Sequence, residues 1–276
     1  MLAKRKKVCY NGLMEKFALK FDRFSFSKKE YREMDTDQLK KHVHPFYEVL
    51  LLLEGEVEYA IENRYYRLQK GDLLLIAPAQ YHFVRQITKA PYRRYCLNFT
   101  EDFAVPVAVR ELYARGERFS LGEESTAKQL LDLLAGVIDQ TPGEHREELC
   151  AAYLHALLLS LEGERSRDAV PQRAVNNFQK ILDHINLNLT SIRSIEDIAG
   201  EMFFSKSYIN HLFKKELGIG VMQYIRNKRI LLAHQRMQEG KKPTDVYAEC
   251  GFSNYVTFYR AYCQYFGTAP SSLRRR

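Results

Sequence analysis

The apolar runs of the 276-residue chain, Val49–Leu53 among them, stop far short of the roughly 20 residues that a membrane-spanning helix needs. Near the start, in MLAKRKKVCYNGLMEKF, Asn11, Glu15 and Lys16 interrupt any apolar stretch of the kind a secretory signal carries. Both absences lead to the expectation of a cytoplasmic chain with no membrane partner, and the Lys4–Lys7 run reads as a solvated tail. Cysteine is sparse. Cys9, Cys96, Cys150, Cys250 and Cys263 are odd in number, scattered and without a CxxC pair, which argues against a disulfide frame or a zinc ribbon and for reduced, buried thiols. GxGxxG, P-loop, HExxH and nucleophile-elbow patterns are also missing.

What is present is unevenly spread. Of the formal charge of +8, residues 176–276 carry 15 Lys and Arg against 8 Asp and Glu, whereas residues 1–175 carry 27 against 26. A basic module beside a neutral one points to a polyanion partner for the basic one alone. The length suffices for two domains, each with its own core.

From about Phe17 to Phe99 the apolar period is two. In EVEYAIE, Val57, Tyr59 and Ile61 alternate with Glu56, Glu58 and Glu62, as on a strand with one wet face. FYEVLLLL and DLLLIAP read as more deeply buried strands, and Tyr95, Leu97 and Phe99 alternate with Arg94, Cys96 and Asn98. Glu62-Asn63-Arg64 and Gln69-Lys70-Gly71 supply turns. Short strands at this spacing predict a sandwich or barrel. From about Val107 to Glu164 the period becomes helical. Leu130, Leu133, Leu134, Val137 and Ile138 trace one face of a helix that Thr141-Pro142-Gly143 stops. The next helix has two apolar stripes, one of Leu149, Ala152, Tyr153 and Ala156, the other of Leu154, Leu158 and Leu161. One stripe can cover the barrel; the other meets a second subunit or more of the same monomer. The expectation taken forward is a homodimer formed between Glu123 and Glu162 through Leu154, Leu158 and Leu161. The polar stretch GERSRDAVPQ then reads as a linker.

In the last hundred residues, Ser194 with Asp197 suits a capping box for a helix over Ile195–Met202. Phe203-Phe204 turns the chain, and Ser205 caps a second helix that Gly218 ends after Leu217. The outline is that of a helix-turn-helix. Ile209, Leu212 and Phe213 share one face of the second helix, and Ser207, Asn210, His211 and Lys214 the other. The outline recurs about fifty residues later. Thr244 caps a helix through Cys250, Gly251-Phe252 turns, and Ser253 caps a helix whose apolar side holds Val256 or Thr257, Phe258 and Tyr262. Between the units, Val221–Gln238 reads as one helix with Ile225, Leu232 and Met237 apolar. At about 1.5 Å per residue it spans roughly 27 Å, the same order as the about 34 Å between successive major-groove turns on one DNA face.

SIEDIAGEMFFSKSYINHLFKKELG, RNKRILLAHQRM and GFSNYVTFYRAYCQYFGTAPSSLRR, in that order, closely resemble the DNA-binding module of the AraC/XylS family. The resemblance covers residues 176–276 nearly end to end, on Ala199, Ser205, Phe213-Lys214-Lys215, Gly218, Arg229, Ala233, Gly251-Phe252, Phe258, Arg260, Phe266-Gly267 and Pro270. Carried over by position, it implies that Ser207, Asn210 and His211 meet bases and Lys214 a phosphate, with Tyr255, Thr257, Tyr259 and Arg260 presented by the second unit. Three residues depart from the pattern. Tyr247 stands where a small alanine is usual, so the second unit must open locally, and Tyr262 and Cys263 replace a usual Phe-Lys pair. Losing that lysine removes one phosphate contact and leaves the first unit to dominate affinity.

The strand-rich stretch contains His42-x-His44-x3-Glu48-x6-Gly55, then Gly71-Asp72, then His82, which resembles the two cupin motifs. Residues 42, 44 and 48 share one face of an extended segment because side chains alternate, and His82 can close the set from a neighbouring strand. Ala77 and Ala79 stand where cupin enzymes usually have Pro and Gly. Three histidines and a carboxylate suit Zn, Ni, Fe or Mn. Equally, the four groups can line the barrel and hydrogen-bond an effector, the expectation taken forward, with no cofactor.

The reading is an α+β multidomain chain: a cupin-like β-barrel over 1–105, a helical dimerisation layer over 106–164, a linker over 165–175 and an all-α double helix-turn-helix domain over 176–276. The resemblance implies a transcription regulator, not an enzyme, whose partners are an operator duplex, a carbohydrate-like small-molecule effector, RNA polymerase and a second copy of itself. The alternative is a metal-dependent cupin enzyme with a DNA-binding appendage.

Overall fold

A computed structural model describes residues 9–10, 13–21, 23–31, 42–62, 64–88, 90–100, 103, 109, 112, 116–140, 145–164 and 176–273. The chain divides into two compact units, Met1–Gln172 and Arg173–Arg276. The expected linker at 165–175, Lys4–Lys7, Asn63 and Thr141-Pro142-Gly143 lie outside the described residues.

The first unit is built on two antiparallel sheets. Strands β1 (Cys9–Tyr10), β2 (Leu13–Lys20), β3 (Phe24–Tyr31), β4 (Tyr47–Glu54), β7 (Asp72–Ile76), β9 (Tyr92–Phe99) and β10 (Arg118–Ser120) form one, in the order β1-β2-β3-β9-β4-β7-β10. Strands β5 (Val57–Ile61), β6 (Arg64–Leu68) and β8 (His82–Gln86) form the other, in the order β6-β5-β8. Alternation along β4 and β9 explains why both strands are buried on both faces. Val49, Leu51, Tyr95, Leu97 and Phe99 face a core shared with the helices. Leu50, Leu52 and Tyr92 face a second core shared with Val57, Tyr59, Ile61 and Val84 of the small sheet. Each such leucine contributes about 1.5–3 kcal/mol by burial, so a one-residue register slip, which would exchange the two sets of side chains, is strongly disfavoured.

Two turns fall where expected, the first closing the β5–β6 hairpin and the second carrying the chain from β6 of the small sheet to β7 of the large one. Ile61 pairs with Arg64 across the first. In the second, Asp72 accepts from Gln69 N at 2.8 Å and pairs with Arg118 at 2.7 Å, so the carboxylate of the Gly71-Asp72 pair serves the turn. Glu62, expected on the wet face, is instead buried, with a left-handed backbone at φ 53°, and its carboxylate accepts from Tyr81 N at 3.1 Å.

Helix α1 (Thr126–Gln140) buries Ala127, Leu131, Leu134 and Val137, whereas Leu133, expected inside, is 54% exposed. Helix α2 (Arg146–Ser160) buries Cys150, Leu154, Leu157 and Leu158, and Leu161 follows. The stripe of Leu154, Leu158 and Leu161 therefore belongs to the monomer's own core. The dimer surface expected there is corrected: three fully desolvated leucines are already committed to the sheet.

The second unit is helical: α3 (Asn177–Leu187), α4 (Ile195–Met202), α5 (Lys206–Leu217), α6 (Val221–Gln238), α7 (Pro243–Glu249) and α8 (Tyr255–Phe266). Helix α3 was not expected; Asn176 caps it and Phe178, Ile181, Leu182 and Ile185 bury one face. Asp197 accepts from Ser194 N at 3.0 Å and from Ser194 Oγ at 3.1 Å at the start of α4. Ser205 accepts from Tyr208 N at 3.2 Å, and Gly218, at φ 74°, ends α5. The second unit's caps differ from expectation. Lys242 stands at the cap of α7 because Pro243 takes the first helical position, where its fixed φ is pre-set and its missing N–H costs nothing. Asn254, not Ser253, caps α8, accepting from Thr257 N at 2.8 Å. Val256 and Thr257, offered for the apolar side, are exposed, and Ala261 joins Phe258 and Tyr262 inside.

Candidate functional site

Within the first unit one cluster brings three histidines together with a buried carboxylate. By parity with Leu50 and Leu52, Glu48 points between the sheets, where it is 3% exposed. The segment preceding β4 lies along β8, since His42 and His82 exchange backbone hydrogen bonds at 3.0 and 3.1 Å and Ala79 N donates to His44 O at 2.9 Å. This brings His42, His44, Glu48 and His82 together, with one ligating atom from each within 4.8 Å of the others.

The hydrogen bonds sort the cluster's atoms. His44 Nδ1 lies 3.0 Å from Phe46 O and His82 Nδ1 lies 2.9 Å from Gln80 O. A carbonyl only accepts, so each Nδ1 carries a proton and each Nε2 is left as the variable atom. Both Nε2 atoms approach the same carboxylate oxygen, Glu48 Oε2, at 3.0 Å from His44 and 3.4 Å from His82. The other oxygen, Oε1, accepts from Cys96 Sγ at 3.2 Å and lies 3.9 Å from Arg94 Nη1. Arg94 in turn donates to Tyr59 Oη at 3.2 Å. Burial alone would raise the Glu48 carboxyl, but hydrogen bonding and charge from His44 and His82 outweigh it and hold the group well below the ordinary carboxylate range. Burial and the Glu48 charge push the Cys96 thiol up to about 12, so it is a neutral donor. Arg94, Cys96 and Tyr59 were not singled out beforehand. Their signal was strand parity: Arg94 and Cys96 share the face of Tyr92, and Tyr59 that of Val57.

In the second unit α5 buries Ile209, Phe213 and Leu217 and exposes Ser207, Tyr208, His211 and Lys214, with Leu212 half-buried. Asn210, expected to point outward to a base, is held elsewhere: its Oδ1 accepts from Val221 N at 3.2 Å, satisfying an otherwise orphaned donor at the start of α6. On α8, Thr257, Tyr259 and Arg260 are exposed, while Tyr255 is half-buried with its ring 5.9 Å from that of Tyr247. Packing of Tyr247 on Tyr255 is how this unit accommodates a large side chain where alanine is usual. Tyr262 is buried, and its hydroxyl lies 2.7 Å from His234 Nδ1.

Arg229 joins the two helical pairs. From α6 its Nε donates to Leu189 O at 2.8 Å, its Nη1 to Gly251 O at 2.8 Å and its Nη2 to Ile192 O. The planar fork of donors suits three carbonyls arriving from separate loops. Gly251 sits at φ +83°, and a Cβ there would lie 2.5 Å from Thr190 O and 2.9 Å from Arg229 Cζ. The close approach, as much as the turn, demands glycine.

Comparison with known proteins agrees with both halves. The model of the AraC-like ligand binding domain matches residues 29–161, and that of a helix-turn-helix domain matches residues 198–276. The chain is 22% identical over 218 residues to the HTH-type transcriptional regulator YbfI of Bacillus subtilis, covering 77% of this chain and 78% of that one. It is likewise 22% identical over 243 residues to the HTH-type transcriptional activator RhaR of Pectobacterium atrosepticum, covering 85% and 86%. The crystal structure of unsaturated fatty acid-bound ToxT from Vibrio cholerae aligns at 14% identity over 91% of this chain and 94% of that one, with a TM-score of 0.40. The sequence relatives are regulators, which favours that reading over a metal-dependent cupin enzyme. Among the described residues no helix is long and apolar enough to cross a membrane. A ligand-binding domain of this type followed by a helix-turn-helix domain is the two-part order of one group of regulators, and the chain belongs to the AraC/XylS family of transcription regulators.

Proposed function

We propose that the chain is a cytoplasmic activator that reads an operator through Ser207, His211 and Lys214 of α5 and Thr257, Tyr259 and Arg260 of α8. A hydroxyl-rich, carbohydrate-like effector at the Glu48 cluster then biases operator occupancy. The carrying observation is the cluster itself: an ionised carboxylate, three imidazoles and a guanidinium gathered beside the apolar core between the two sheets, where polar groups are retained only at a cost. RhaR's designation as an activator supports contact with RNA polymerase. Dimerisation falls to the outer face of α1 and α2, where Leu133 and Leu159 remain 54% and 51% exposed. Coupling between effector and operator is a free-energy difference between two states, and Glu48 is placed to carry it. Glu48→Ala is expected to leave operator affinity within about twofold while abolishing its dependence on effector, measured by fluorescence anisotropy with a panel of sugars and polyols. Loss of operator binding together with loss of secondary structure would make the cluster a purely structural element.

A further inference from the structure

We propose, resting on the operator reading above, that α8 recognises the C5-methyl group of thymine. Val256 packs against it, flanked by the Thr257 methyl and the Tyr259 ring, whereas α5 works through hydrogen bonds and charge. The two helices match position by position, because each spans 12 residues between a capping side chain, Ser205 or Asn254, and a left-handed glycine, Gly218 or Gly267. In that register the buried residues agree: Ile209 falls on Phe258 and Phe213 on Tyr262. At about 3.6 residues per turn, the line opposite them runs through Ser207, His211 and Lys214 on α5. On α8 it runs through exposed Val256 and Arg260 and half-buried Cys263. Where α5 offers a hydroxyl and an ammonium, α8 offers an isopropyl group and a thiol. Lys206 and Lys215 are likewise met by Tyr255 and Gln264, which leaves Arg260 as the one cation of α8.

The fold itself makes little use of this apolar face. Val256 is 56% exposed and lies outside the core that holds Phe258, Ala261 and Tyr262. Exposed Tyr259 is propped by Tyr255, whose ring lies 6.2 Å away and in turn meets Tyr247 at 5.9 Å. An isopropyl group gains nothing from a phosphate. What it fits in a major groove is the methyl group that thymine presents there. Residues near the start of the second helix of a helix-turn-helix are those that reach base edges, and Val256 is the second residue of α8. Arg260, one turn further on, carries the fork that pairs with guanine. Duplex is the occupant because Val256 shares its line with Arg260, in the module whose positive excess and family match both point to DNA.

The test uses the full-length chain and the duplex it selects from a random pool, with each thymine in turn replaced by deoxyuridine. That change removes one methyl group and no hydrogen-bonding group. Anisotropy titrations should show one or two positions at which uracil weakens binding by about three- to tenfold. Val256→Ser gives α8 the residue that α5 has in register. It should weaken binding to the thymine duplex by a similar factor and lose that sensitivity to uracil, with circular dichroism unchanged. Ile87→Ser, at an exposed apolar residue of the first unit, should keep both. Uracil effects within the scatter of the titration at every position, or a full uracil effect in Val256→Ser, would overturn the methyl contact and leave the operator reading standing. So would a Val256→Ser chain that discriminates as the parent does but sediments as a smaller species, since the face would then belong to a second copy. Failure of the chain to prefer any duplex would sink the operator reading itself, and the methyl contact with it.

Discussion

Asn210 shows how one side chain can be read two ways. Its place on the α5 helix put it on the outward face with His211 and Lys214, and resemblance gave it a base to read. The structure commits its carbonyl oxygen to Val221 N. Asn210→Ala is therefore expected to cost about 1 kcal/mol of stability, the usual worth of a lost cap, without altering base preference. Lys214→Ala should weaken all duplexes alike and lower the salt slope by about one unit. Binding of both variants to single-base operator variants at several salt concentrations checks the pair; relaxed preference at one position in Asn210→Ala would restore the reading role. His234 gives a pH term. Desolvation pushes it down to about 4, so below about pH 6.5 the unfolded chain takes up a proton that the folded chain refuses. Stability from this residue is complete above about pH 6.5 and is lost as pH falls towards 4, by up to about 3 kcal/mol. Urea unfolding across that range should show a shallower acid loss in His234→Gln than in the parent chain.

Among elements, α4, α5 and α6 were legible to the residue because local chemistry marks their ends: Ser194 and Asp197, Ser205, Gly218. The strands β4, β5 and β7 were legible from period two and short apolar runs. Helix α3 was not legible although Phe178, Ile181, Leu182 and Ile185 follow helical spacing, since neither a capping box nor a C-terminal glycine marks its ends. The partner of a stripe was not legible. Leu154, Leu158 and Leu161 announce burial, but whether the covering surface is the same chain or another depends on tertiary packing, which periodicity does not encode. Likewise strand parity puts Glu48 and His82 on inward faces, yet only the cross-strand bridge between His42 and His82 brings the histidines together. Arg229 shows what holds the helical elements in place. Its three carbonyl partners come from the Leu189–Ile192 loop and the turn at Gly251. Arg229→Lys keeps the charge but loses the fork, and should destabilise the full chain by about 2–4 kcal/mol in urea unfolding. A change under about 0.5 kcal/mol would mean that the loops hold themselves.

For the molecule as a whole, the charge asymmetry and the two family matches divide the labour alike. Residues 176–276 hold nearly all the positive excess and the helix-turn-helix match, while the nearly neutral first unit holds the ligand-binding match and the polar cluster. The central claim is that this basic unit reads sequence and does more than attract phosphate. Counterion release alone gives affinity without preference; exposed Ser207, His211, Thr257 and Arg260 are what can supply the difference. The direct measurement selects a duplex from a random pool with the full-length chain. Its affinity is then compared with that of a scrambled duplex of equal length at about 0.15 M salt. The account predicts that the selected duplex binds at least about a thousandfold tighter. Equal affinity for the two duplexes would contradict it.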